Sequence, residues 1–373
     1  MELEREDGLM VETSEKKGLL FLGDCFFRTG TGKDPFAALP GWFAESAAVV
    51  NCETVVLTGE ASRPRLPKLI EIQTTDRDVC EGAVKRFDML SVANNHTLDS
   101  GRAGLAQTTA WLEVRGHAVI GQAGKSRADI MVGKRRVAVF ACVDFSSRKY
   151  RALARPRDIF TEIRRARQSA DVVCVCVHWG TEYADYPSPA QRRLAARFAH
   201  SGADLVVGHH PHVFQGCENV GPARVYYSLG NANFGTWQNR HSPWSNVGMA
   251  VRLDFIEGKP KFSEHFFRID ENRELAPADE KTQRAARARF ASLSGDNAAK
   301  DWIAWGKNAS RVFVAQESEA FSIRLRKGRA IEYLIFLYWL TKPKTAFLLA
   351  CFLAGRVGKG VVRRRKPTAE LEA

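Results

Sequence analysis

The segment Gly202–Gln215, GADLVVGHHPHVFQ, constrains this chain more than any other. A short apolar strand, Leu205–Val207, runs into a glycine and then presents His209, His210 and His212 from one tight loop. Imidazoles at i and i+2 on a strand-to-loop junction can converge on one cation or on two adjacent cations. The same layout recurs along the chain. The apolar run Leu19–Gly23 stops at Asp24, Ala47–Val50 stops at Asn51-Cys52-Glu53, and Asp88–Ala93 stops at Asn94-Asn95-His96, with Asp99 three residues on. Asp171–Val177 stops at His178, with Glu182 following, and Val225–Leu229 stops at Gly230-Asn231. Strands that are continuously apolar rather than alternating belong to sheets covered on both faces, as in α/β proteins. Ligands in such folds bind beyond the carboxyl ends of the strands. Six strand ends that carry carboxylates, amides or imidazoles therefore predict one shared pocket.

At 373 residues and 45% hydrophobic content, the chain can bury a substantial core in one large domain or two. Its eight cysteines fit no disulfide framework. Cys174 and Cys176 fall on the same side of a predicted buried strand, and Cys25, Cys52 and Cys142 sit at or inside similar strands, where a thiol acts as a small hydrophobe. The charged opening MELEREDGLMVETSEKKG has no apolar core of a secretory signal. Residues 1–17 are therefore expected to be disordered, and a reducing cytoplasmic compartment is the simplest setting. Helices alternate with the strands. Ser188-Pro189-Ala190-Gln191 reads as a capping box with proline at the first helical position, ended by Gly202. Gly104–Gly116 is expected to be a second helix, and the arginine-rich Arg151–Arg167 an exposed one.

The segments GDCFF (Gly23–Phe27), NCET (Asn51–Thr54), ANNHTLDSG (Ala93–Gly101), HWGTEY (His178–Tyr183), GADLVVGHHPHVFQG (Gly202–Gly216) and YSLGNANF (Tyr227–Phe234) carry a resemblance. In order and spacing they resemble the motif series of the CapA family of capsule or poly-γ-glutamate biosynthesis proteins, itself similar to calcineurin-like metallophosphatases. The resemblance implies a four-layer α/β/β/α sandwich over residues 18–257, with a dinuclear metal centre in the phosphatase relatives. It makes Asp24 the first-strand ligand and puts Glu53 in the place of a bridging aspartate. Asn95, His178, His210 and His212 become further ligands, and His96 the residue beside the leaving group. His209 has no counterpart in the final pair. One departure stands out: Phe26 occupies a position where the phosphatases carry a histidine ligand. Such a mixed donor set suits one or two borderline divalent ions, Mn, Fe or Zn, better than Ca. In this reading His96 is a general acid, and Asp99 either orients its ring or caps the following helix. Asn94, Glu182, His209 and Asn231 are expected to line the pocket for substrate. Glu182 reads equally well as a structural salt-bridge partner, and Asn231 as a turn former.

The C-terminal third changes character. Residues 258–330 read as a polar extension, a closing hairpin followed by a helix over Asp279–Leu293. Ile331–Leu340 and Thr345–Gly355 are two apolar segments, each short of the about 20 residues a membrane span needs. With Lys342, Lys344 and Arg363–Lys366 they suggest a membrane-surface hairpin and basic tail over 331–373, peripheral at the inner face of the membrane. A helix pair docked on the domain is the alternative. A net charge of +13 fits an anionic partner, whether acidic polymer, phosphorylated substrate or lipid headgroup. No nucleic-acid motif accompanies it. Two function classes follow. One is a metal-dependent hydrolase or transferase acting on an anionic polymer or glycan, at a phosphoester or amide bond. The other is a non-catalytic metal-binding assembly factor for a membrane-bound polymer synthase.

Overall fold

The computed structural model describes residues 9–11, 16–28, 33–58, 72–145, 147–234, 241–295, 301–327, 337–338 and 340–357. In chain order, the strands of the first half are β1 (Leu9–Val11), β2 (Gly18–Cys25), β3 (Ser46–Cys52), β4 (Val55–Leu57), β5 (Gln73–Thr75), β6 (Met89–Ser91), β7 (Ala118–Ile120), β8 (Arg127–Val132) and β9 (Arg135–Val143). Those of the second half are β10 (Val172–His178), β11 (Leu205–His209), β12 (Cys217–Val220), β13 (Ala223–Tyr226), β14 (Asn231–Asn233), β15 (Val247–Ile256), β16 (Lys259–Ile269) and β17 (Leu275–Pro277). The helices are α1 (Gly41–Ala44), α2 (Glu81–Val84), α3 (Gly101–Glu113), α4 (Pro156–Ala166), α5 (Pro189–His200), α6 (Glu280–Leu293), α7 (Trp302–Lys327) and α8 (Pro343–Val357).

Two mixed sheets face each other. One runs β1-β8-β9-β10-β11-β13-β12, the other β17-β16-β15-β2-β3-β6-β7, with β14 pairing β2. Their centres are parallel: β9, β10, β11 and β13 in the first, β2, β3, β6 and β7 in the second. The two-residue side-chain period sorts the first sheet cleanly. Val137, Val139, Val172, Cys174, Cys176, Leu205 and Val207 point into the core shared with Leu19, Phe21 and Val49 of the second sheet. Phe140, Val173, Val175, Val177 and Val206 point the other way, onto Ile159, Ile163, Leu194 and Phe198 of α4 and α5. On the far side, α1 and α3 pack on β3 and β7. The result is a mixed α/β sandwich of four layers, as expected. All eight cysteines are unpaired.

The capping box of α5 is present: Ser188 Oγ accepts from Gln191 N at 3.3 Å, and Gln191 Oε1 accepts from Ser188 N at 2.9 Å. Several expectations need correction. Part of the N-terminal segment read as disordered forms a strand, since the apolar triplet Leu9–Val11 pairs in parallel with the edge strand β8. The second sheet continues beyond residue 257, because β15 turns at Glu257-Gly258 into β16 and then β17. Arg151–Arg167 is only half solvated, because Ile159, Phe160 and Ile163 of α4 are core residues. At the C-terminal end, among the described residues, α8 packs along α7. Trp305, Ala309 and Leu348 of this pair form a small separate cluster with Ala184, so the hairpin sits on the loop after β10. Of Ile331–Leu340 only Leu337, Tyr338 and Leu340 are described, and Arg363–Lys366 lie outside the described residues. Among the described residues no helix is long and apolar enough to cross a membrane.

Candidate metal centre

The strands bring the site together through two close backbone approaches. A Cβ on Gly23 would lie 1.9 Å from Gly230 O, and one on Gly208 would lie 1.9 Å from Tyr227 O. Glycine lets β2 and β11 run tight against the chain that follows β13. Asp24 N then donates to Gly230 O at 3.0 Å. His178 and His209, the last residues of β10 and β11, are register partners. Each continues the inward-facing series of its strand, after Cys176 and Val207, so both imidazoles enter the space between the sheets. Beyond β11 the backbone is strained: His210 has φ 97° and His212 φ 56°, and Tyr183, whose N–H donates to Pro211 O at 2.8 Å, has φ 54°. Non-glycine residues in this region cost about 1–3 kcal/mol each and persist where the surroundings fix them, often at functional sites.

Asp24 is the hub. Asn51 Nδ2 donates to Asp24 Oδ1 at 2.7 Å and to Glu53 Oε1 at 3.1 Å. The backbone N–H of His210 donates to Asp24 Oδ2 at 3.0 Å. His212 Nδ1 lies 3.4 Å from Asp24 Oδ2, and His209 Nδ1 lies 3.5 Å from Asp24 Oδ1. His178 Nδ1 is 3.7 Å from Glu53 Oε1, and its Nε2 meets Asn95 Oδ1 at 2.9 Å. Two groups of potential ligand atoms lie within 4.8 Å of one another: Asp24, Glu53 and His212, and Glu182, His210 and His212. His212 belongs to both.

The donor set fits a divalent cation. Glu53 Oε2 and His210 Nδ1 are buried with no hydrogen-bond partner, a costly state for a polar atom that lacks another role. Burial pushes the Asp24 carboxyl up, but His209, His212 and His178 outweigh it and hold it well below the usual range. Burial, and next to it the Asp24 carboxylate, push Glu53 well above its usual range. Burial, reinforced by His210, holds His178 well down, and burial brings His210 to about 4. Burial thus favours the neutral form of His178 and His210, the state a metal requires of an imidazole. A cation held by Asp24 and Glu53 would offset the burial and the repulsion that hold Glu53 up.

Around this centre, His96 Nδ1 lies 2.8 Å from Asp99 Oδ2, and the Asp99 side chain is fully buried. Asp99 thus orients the imidazole, and the cap reading falls away: α3 starts at Gly101 with Ser100 before it. Lys149 Nζ stands 3.8 Å from Asp99 Oδ1 and 3.4 Å from Asn95 O. Asn231 Oδ1 accepts from His212 Nδ1 at 2.9 Å and its Nδ2 donates to Ser245 O at 2.8 Å, so it orients a candidate ligand. Two substrate-contact expectations are corrected. Asn94 is fully buried and donates to Cys52 O at 2.8 Å while accepting from the backbone N–H groups of His96 and Thr97, so it shapes the turn. His209 is buried, with its Nδ1 3.5 Å from Asp24 Oδ1. Glu182, expected at the pocket wall, stands among the potential ligand atoms. Phe26 packs 6.2 Å from the ring of Phe234, which lies 4.7 Å from His212, so an aromatic wall replaces the absent histidine. Sequence reasoning missed Asn51 as a clamp. It also missed Phe145, whose ring lies edge-on to His210 at 5.0 Å and His178 at 5.8 Å. Both residues stand at or just beyond parallel strand ends, which was the available signal.

A sequence profile of the family described as Bacterial capsule synthesis protein PGA_cap matches residues 18–236, more than half of the chain. The chain belongs to that family. Among curated relatives, the PGA biosynthesis protein CapA of Bacillus subtilis is 32% identical over 193 residues, covering 48% of this chain and 50% of that one. The capsule biosynthesis protein CapA of Bacillus anthracis is 29% identical over 236 residues, covering 56% and 57%. A probable polyglutamine synthesis accessory protein of Mycobacterium tuberculosis is 25% identical over 193 residues, covering 45% and 50%. The chain thus spans about half the length of the curated relatives it matches. Among solved structures, a novel phosphatase of Mycoplasma pneumoniae aligns with a TM-score of 0.45 and 12% identity, over 68% of this chain and 94% of that one.

Proposed function

We propose that this PGA_cap protein is a metal-dependent hydrolase acting on an anionic polymer or glycan in capsule or polyglutamate biosynthesis. The observation that carries the reading is the convergence of Asp24, Glu53, His178, His210 and His212 beside an imidazole held by a buried carboxylate. A bound divalent ion would polarise the scissile group and activate water for attack. The rest belongs to the chain's own residues. Asp24, Glu53, His178, His210 and His212 would hold the ion, while Asn51 and Asn231 fix the acid and the imidazole they touch. Asp99 takes the Nδ1 side of His96, which leaves Nε2 as the end that gives a proton to the leaving oxygen or nitrogen. Asn95, bonded to His178, keeps His96 next to the centre. Phe145 and Phe234 cover the imidazoles and limit water access.

The test is elemental analysis of purified protein and of a His210→Ala/His212→Ala double variant. Wild type is expected to carry Mn, Fe or Zn at one or two ions per chain. The double variant is expected to lose the metal while its circular dichroism stays near wild type. Unchanged metal content in the double variant would sink the proposal. Phe26 in the place of a ligand favours a second reading, a non-catalytic metal-binding assembly factor. Metal-replete wild type that cleaves neither phosphoester nor γ-glutamyl substrates would select it.

A further inference from the structure

The geometry points to Lys344, at the start of α8, as the residue that binds an anionic group of the substrate at the mouth of the metal centre. The inference rests on the proposed function for the location of the site, and it concerns an element outside the matched residues 18–236. The loop after β10 carries both a potential ligand of the centre and the contacts of the C-terminal hairpin. Lys344 Nζ reaches Gly180 O at 3.5 Å. Two residues on, Glu182 is held by Gln316 Nε2 of α7 at 2.7 Å and stands among the potential ligand atoms with His210 and His212. The ammonium is close enough to influence both Glu182 and His210, yet among the described residues Lys344 makes no ion pair.

Its backbone is well placed for this role. Thr345 and Leu348, just beyond it, are buried, and the rings of Trp305 and Phe347 stack across the helix pair at 6.4 Å. Lys344 itself is exposed at the rim. A charge on a long, flexible stem, anchored at its base and with its ammonium partly desolvated against Gly180 O, suits capture of a carboxylate or phosphate oxygen. Lys149, near Asn95 and Asp99, supplies a second cation close to the centre. An anionic chain reaching both lysines would meet two positive charges, which fits a polyanion better than a small neutral substrate.

The experiment uses the full-length chain, with and without added Mn, and two probes: a short γ-glutamyl oligomer and inorganic phosphate. Affinities are measured by isothermal titration for wild type, Lys344→Ala and Lys344→Arg. Loss of one charge-assisted contact is expected to weaken oligomer binding about tenfold or more in Lys344→Ala. Lys344→Arg should stay within about threefold of wild type, since it keeps the charge, and Mn content should be unchanged in both variants. Weakening confined to inorganic phosphate would identify a phosphoryl group, not a carboxylate, as the anion. Equal affinities of wild type and Lys344→Ala for both probes would overturn the inference. So would wild type that binds neither probe, or loss of Mn in Lys344→Ala. A wild type that binds no metal but still shows the Lys344 effect would defeat the proposed function and leave this inference standing.

Discussion

The space between the sheets and the C-terminal hairpin build the same site by different means. Between the sheets, Asp24, Glu53, His178 and His212 are buried, and each sits at or just past the carboxyl end of a strand with both faces covered. Their partners are other buried polar groups, Asn51 and Asn231 among them. The hairpin is tied to the domain by four buried apolar residues, Ala184, Trp305, Ala309 and Leu348. A short polar seam joins them: Asn308 N and O atoms on Asp185, Gln316 on Glu182, and Lys344 on Gly180. The first region cannot shift a ligand without disturbing both sheets. The second can move as a unit at the cost of one small cluster. On the proposed function, chemistry would fall to the sheets and selection of the substrate to the mouth beside the hairpin.

The sharpest way to break this division is at His96, which belongs to the sheet side without being a candidate ligand. His96→Asn is expected to lower turnover by about 10²–10⁴-fold while metal content stays at the wild-type level. Metal loss in that variant would put His96 among the ligands and remove the distinction between the proton donor and the centre.

The hairpin side is probed by Trp305→Ala. Truncating a buried tryptophan costs about 3–5 kcal/mol where the surroundings cannot collapse, and here the loss falls on one separate cluster. Amide hydrogen exchange should show lost protection over 302–357, with β2, β10 and β11 protected as before and metal content unchanged. Global unfolding in step with the hairpin would mean that the two regions are one cooperative unit. Removing the chain after Arg329 takes away α8 and Lys344 and bares Trp305. The resulting protein should therefore tend to aggregate, not simply become more soluble.

The legible part of the site follows from its position in the sheets. A parallel strand buried on both faces is apolar throughout, so Asp24, His178 and His210 stand out where the apolar run ends. Asn94 stands out in the same way and was misread, because a strand-end amide can turn inward and satisfy a backbone turn as readily as it can face a ligand. Asn51 also marks a strand end, but its role as a clamp depends on Asp24 and Glu53 converging on its amide, which local sequence does not show. The partner of α8 could not be read either. Apolar patterning marks Thr345–Gly355 as a helix face in need of cover, but nothing local says that Trp302–Lys327 supplies it. Lys344 inherits that ambiguity, since its meaning depends on where the helix docks.

The smallest effect separates the regions by pH. In metal-free protein, His178 and His210 are held down mainly by burial, and Glu53 is held up mainly by burial. Between the unfolded imidazole value near 6.5 and the native His210 value of about 4, the unfolded chain binds more protons at both histidines, so stability falls as pH falls. Glu53 acts in the opposite sense above its unfolded value, because there the native state binds the extra proton. Two imidazoles act against one carboxyl in that window, so stability should rise with pH toward 6.5. Above pH 6.5 only Glu53 contributes, and stability should decline with pH until its raised native value is passed. Urea midpoints of metal-free protein from pH 4.5 to 8 should thus pass through a maximum near 6.5, and Glu53→Gln should flatten the upper limb alone. A bound divalent ion should remove that limb in wild type, since it favours the ionised carboxylate. The hairpin's apolar cluster contains no titrating group, so hydrogen-exchange protection of α7 and α8 should stay level across the same range. Parallel loss of hairpin protection below pH 6.5 would show that the mouth is coupled to the protonation of the centre.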